Sequence, residues 1–145
     1  MSSQVNSFAR FWSKEVSIFT QIATVLLLVH AVFSLIVSTY WNIQFGFLSF
    51  NVIGPVLALI VLAAVVLNFV GKRNIGFLVA MIATMAHFVV SEITGSWNFF
   101  RIDWSFVFSG ELVLLGWLNI VSLVLLPLAA ILLIIGRPEW AKLTK

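Results

Sequence analysis

His30 and His87 are the only histidines in a 145-residue chain that has no cysteine, so imidazole chemistry at these two positions is the first thing the sequence offers. A neutral imidazole is a nitrogen ligand for haem iron or copper. A low-spin b-type haem among helices is commonly held by two histidines from facing helices at one depth. The same pair serves equally well as a structural contact, each ring hydrogen-bonded to the other or to a hydroxyl. Both histidines have a serine four residues on, Ser34 and Ser91, and helical geometry places such a residue where it can hydrogen-bond near the ring and set its orientation. His30 and His87 are therefore the candidate cofactor ligands, with Ser34 and Ser91 supporting them. Three uses stay open at this stage: b-type haem, a single metal ion such as copper, or a purely structural pair.

Acidic chemistry is sparser. Glu92 follows Ser91, Glu111 precedes the last apolar run, and Arg101 lies between them, so the three form a candidate polar pathway or an ion-pair group at one end of the helices. Ser109 and the helix dipole favour Glu111 simply as part of a helix start. The sequence contains no hydroxyl, base and acid set, no glycine-rich phosphate loop and no metal-type cluster beyond the histidines. No catalytic residue is expected, and no catalytic activity of the chain's own. The basic residues are too few, and too cytoplasmic in their placement, for nucleic-acid binding.

The elements that must position the histidines follow from composition. With 62% hydrophobic and 9% charged residues, the chain cannot bury its apolar surface as a soluble domain, and it reads as one all-α membrane domain covering residues 1–145. Four transmembrane spans are expected at about residues 16–40, 52–70, 74–93 and 112–135, forming a four-helix bundle. In the third, the run from Asn74 to Ser91 is 18 residues without a charge. Gly76, Ala80, Thr84, His87, Ser91 and Gly95 fall on one face of it, a small and polar stripe that looks toward other helices. His30 lies on a comparable stripe with Ala23, Ser34 and Ser38. Asn68 and Asn119 are polar groups within spans, suited to joining helices. Pro55 falls in the opening turn of the second span, where it is tolerated. Pro127 falls inside the fourth, where it should kink the helix unless another group satisfies the freed carbonyl. Residues Met1 to Ser13 read as a polar leader that is retained, with Phe8, Phe11 and Trp12 as anchors at a membrane surface.

Charge placement gives an orientation. Arg10, Lys14, Lys72, Arg73, Arg137, Lys142 and Lys145 all fall in one set of connections and only Arg101 in the other, which puts both termini on the cytoplasmic side of a cytoplasmic membrane.

The chain also repeats itself. His30-Ala-Val-Phe-Ser34 leads to Trp41-Asn42, and His87-Phe-Val-Val-Ser91 leads to Trp97-Asn98. Each copy runs on through an aromatic segment and an apolar helix to a basic turn, Gly71-Lys72-Arg73 in one and Gly136-Arg137-Pro138 in the other. This is the pattern of a duplicated helical hairpin with parallel halves, and it makes His30 and His87 symmetry partners. From Phe100 to Phe108 apolar and polar residues alternate, and Ile43 to Phe47 alternates over a shorter run, so a short antiparallel β-ribbon is expected on the outer face.

Two functions fit this description. One is a small integral subunit of a larger membrane complex, respiratory or otherwise redox-active, in which the histidines hold b-type haem. The other is a small transporter or channel acting as an oligomer. The partners expected are the lipid bilayer and either other membrane subunits or further copies of the chain.

Overall fold

A computed structural model describes residues 2–45, 52–94 and 113–143, and every described element is a helix. The order is α1 (Ser2–Phe11), α2 (Ile18–Phe45), α3 (Ile53–Phe69), α4 (Arg73–Thr94) and α5 (Val113–Leu143). Three stretches, Ile18–Tyr40, Arg73–Val90 and Gly116–Arg137, are long and apolar enough to cross a membrane. The 17 residues of α3 are equally apolar but shorter, spanning about 26 Å at the α-helical rise.

The leader is itself a helix. Phe11 is buried against the end of α3, its ring 4.7 Å from that of Phe69, while Trp12 and Phe8 stay half exposed beside it. Gln21 ties the turn that follows, its amide Nε2 donating to the carbonyls of Phe11 at 3.0 Å and Ser13 at 3.1 Å. Ser17 then caps α2 by accepting the N–H of Phe19 at 3.3 Å. That cap explains why the helix begins at Ile18 and not at Val16.

One expected strand and one expected turn differ from the sequence reading. Helix α2 runs on through Phe45, so Ile43, Gln44 and Phe45 are helical where an outer strand was expected. A short alternation at the end of a long apolar run cannot overcome the helix already formed. The rest of that stretch and all of Phe100 to Phe108 lie outside the described residues. Among the described residues there is no strand. The second basic turn is also absent: Gly136, Arg137 and Pro138 lie within α5, which is continuous past Pro127 as well. Proline removes one intrahelical donor, and on a long, well-packed helix that loss is local.

The first basic turn is present. Gly71 has φ of 85°, its N–H donates to the Asn68 carbonyl at 3.2 Å, and the Lys72 N–H donates to the Leu67 carbonyl at 2.8 Å. This is the paired arrangement that closes a helix on a left-handed residue. Gly71→Ala should cost about 1–2 kcal/mol, because the left-handed backbone is retained and a Cβ is strained there. Unfolding of the detergent-solubilised protein measures it.

Helix α2 packs along α5 and along α3, and α3 packs along α4, whereas α4 touches α5 only lightly. The shared core is built from Ala23, Leu27, Val61, Ala64, Ala80, Leu126 and Ala129. Alanines at these crossings let helices approach closely, which matters where lipid removes the hydrophobic drive for helix association. The outward faces carry Leu59, Val66, Leu78, Ile82, Met85 and Ile131, all more than half exposed. Such an apolar exterior suits hydrocarbon and not water.

Candidate functional site

Periodicity places the two histidines. On α2 the buried positions Thr20, Ala23, Thr24, Leu27, His30 and Ala31 recur at three- and four-residue intervals, and on α4 Gly76, Ala80, Ala83 and Thr84 lead up to His87. Although α2 and α4 are not main packing partners, both lie against α3, and their stripes bring the imidazoles together. The ring centroids are 5.6 Å apart with the planes at 84°. His30 is 2% exposed and His87 partly buried.

The partner of His30 comes from α5. Its Nδ1 lies 2.9 Å from the backbone carbonyl oxygen of Ser122 and 2.8 Å from the Ser122 hydroxyl. A carbonyl can only accept, so the proton sits on Nδ1 and the lone pair on Nε2. Metal-ligating histidines are usually held in this way, with one nitrogen donating to a carbonyl and the other left basic. Pro127 cannot donate to the carbonyl of Leu123, four residues before it, and the neighbouring carbonyl of Ser122 is the one that accepts from His30. His87 is less constrained: its Nε2 is buried and has no hydrogen-bond partner. A buried ring nitrogen left bare in an apolar setting calls for an explanation.

A second polar contact lies about two helical turns below. Asn68 of α3, 1% exposed, donates from Nδ2 to Thr24 Oγ1 of α2 at 3.1 Å, and Thr24 Oγ1 in turn donates to the Thr20 carbonyl at 2.8 Å. Thr84 likewise bonds back to the Ala80 carbonyl at 2.8 Å. Asn68 therefore joins two helices, as expected of it. Asn119 lies in α5 with its side chain outside the described set.

The expected supporting serines fare differently. Ser34 is partly buried, and its carbonyl accepts from Ser38 Oγ at 2.6 Å; the serine bonded to His30 is Ser122. Ser91 and Glu92 belong to the last turn of α4, with side chains outside the described set, and Arg101 and Glu111 lie outside the described residues. Ser122 is the residue that sequence reasoning missed. Aligning Gly71 with Gly136 sets Leu57 opposite Ser122, so the repeat offers no polar counterpart. The available signal was a lone hydroxyl five residues before a proline in an apolar span.

Ser122→Ala should cost only about 0.5–1 kcal/mol, since the carbonyl keeps the His30 Nδ1–H satisfied. A loss several times larger would mean that the hydroxyl, and not the carbonyl, holds the ring. Among the described residues, no group of three or more His, Cys, Asp or Glu side chains could hold a metal ion. No protein-family model, no curated protein and no solved structure matches this chain.

Proposed function

We propose that the chain is a small integral subunit of a larger membrane complex, and that His30 and His87 together hold a b-type haem. The observation that carries this reading is the approach of two imidazoles from two helices to 5.6 Å, one with its Nδ1 proton engaged and the other with a buried, unpartnered Nε2. His30 of α2 and His87 of α4 would hold the group between them. A haem bound there would supply one-electron transfer. The chain's own contribution is to present two neutral nitrogens, fix the His30 tautomer through Ser122, and exclude water with an apolar surround.

In this reading α2 to α5 all span the bilayer as a four-helix bundle with both termini cytoplasmic. The duplication draws support from burial. With the histidines aligned, Ala23 matches Ala80 and Leu27 matches Thr84; with the glycines aligned, Val61 matches Leu126, Ala64 matches Ala129 and Asn68 matches Leu133. All of these residues are buried. The light contact of α4 with α5, against the close packing of α2 along α3, departs from that symmetry.

A pyridine haemochrome spectrum of the full chain, purified in detergent from haem-replete cells, tests the proposal. One b-type haem per chain is expected, and none would overturn it. The second reading, an oligomeric carrier or channel, draws on the buried polar column Thr20, Thr24, Asn68 and Thr84. It predicts a stable homo-oligomer whose unfolding temperature rises with substrate, and no haem.

A further inference from the structure

Two guanidinium groups lie at the first turns of α4. Arg73 opens α4, and Phe77 stands one turn further along the same face. Arg137 of α5 lies over the Phe77 ring, 4.8 Å from its centroid, which brings a second guanidinium to the first turns of α4. Arg10 of α1 is not free for the same role, since its Nε is paired with Glu15 at 2.6 Å. Arg73 and Arg137 are thus both held at the first turns of α4. The Nε of Arg73 is also buried with no hydrogen-bond partner, a donor left without an acceptor among the described residues.

The surroundings narrow the missing acceptor. Phe8 and Trp12 are half exposed and stack about Phe69 beside the cluster, while Leu78, Ile82 and Ile134 present apolar side chains outward along α4 and α5. Cations at the mouth of an apolar flank match a molecule with an oxyanion at one end and hydrocarbon at the other, and guanidinium is the side chain best shaped for phosphate. We infer that Arg73 and Arg137 bind the phosphate of an anionic phospholipid whose acyl chains lie along the flanks of α4 and α5. Basic recesses between transmembrane helices on the cytoplasmic side are suited to such headgroups.

Native mass spectrometry of the full-length protein, released from detergent after exchange with phosphatidylglycerol or phosphatidylcholine, tests this. The wild type should retain a single phosphatidylglycerol, and R73Q and R137Q should each lower its occupancy about fivefold. K14Q, which removes an exposed charge outside the cluster, should leave occupancy unchanged. Equal retention of the two lipids by the wild type would overturn the site, and that comparison needs no variant to fold. An equal loss in K14Q would reduce it to general surface charge. Displacement of the lipid by inorganic phosphate alone would assign the cluster to a soluble anion and overturn the lipid assignment.

Discussion

Gly76→Ala should be the most damaging single-methyl change in the described part of the chain, lowering stability by about 2–3 kcal/mol. A Cβ at residue 76 would run into Asn68 Oδ1 and stand 3.1 Å from the Ala64 carbonyl oxygen. Neither can move cheaply. Asn68 is 1% exposed and bonded to Thr24, and the carbonyl belongs to the backbone of α3, so relief requires α4 to lift away from α3. Gly136→Ala meets Thr20 Oγ1 at 2.5 Å and the Thr20 nitrogen at 3.2 Å. The Thr20 hydroxyl has no partner to lose, so its rotation relieves part of the overlap and the cost should be smaller. The assignment of cause is testable by a double-mutant cycle: in an N68A background, where the obstructing amide is gone, the penalty for Gly76→Ala should shrink by more than 1 kcal/mol. Equal penalties in both backgrounds would place the strain elsewhere.

His87→Ala should abolish haem retention while leaving the fold largely intact. His87 has no hydrogen-bond partner at Nε2 and is only partly buried, so its removal sacrifices modest packing. His30→Ala should also abolish retention but cost more stability, because it removes the buried hydrogen bond from His30 to the Ser122 carbonyl and leaves a cavity at a position 2% exposed. That difference is expected to be about 1–2 kcal/mol. If the pair is merely structural, the stability order stays the same and there is no haem to lose, so the two readings separate on the spectrum and not on the unfolding curve.

The contrast between the two basic turns shows what the sequence could reveal. Gly71 and Gly136 occupy equivalent places in the repeat, and each is followed by a basic residue. Gly71 takes a left-handed backbone and ends a helix; Gly136 stays inside one because the space it leaves is filled by Thr20 of α2. Nothing local distinguishes a glycine kept for its φ from a glycine kept for a neighbour's approach. The histidine stripes were legible because helical period alone decides which residues share a face, and that holds whatever the tertiary arrangement. Ser122 was not legible, because its contact with His30 depends on how α5 lies against α2. Helix α1 escaped notice for a related reason. A stretch of ten mostly polar residues gains its order from Phe11 docking on Phe69 and from Gln21 holding the turn, contacts that join distant parts of the chain.

The central claim is that two imidazoles from different helices act as one site. Electron paramagnetic resonance of the oxidised, purified full-length protein tests it most directly. The account predicts a low-spin ferric signal from two nitrogen ligands in the wild type, and loss of that signal in both His30→Ala and His87→Ala. A wild-type protein with no ferric signal, or a signal that survives the removal of either histidine, would contradict it.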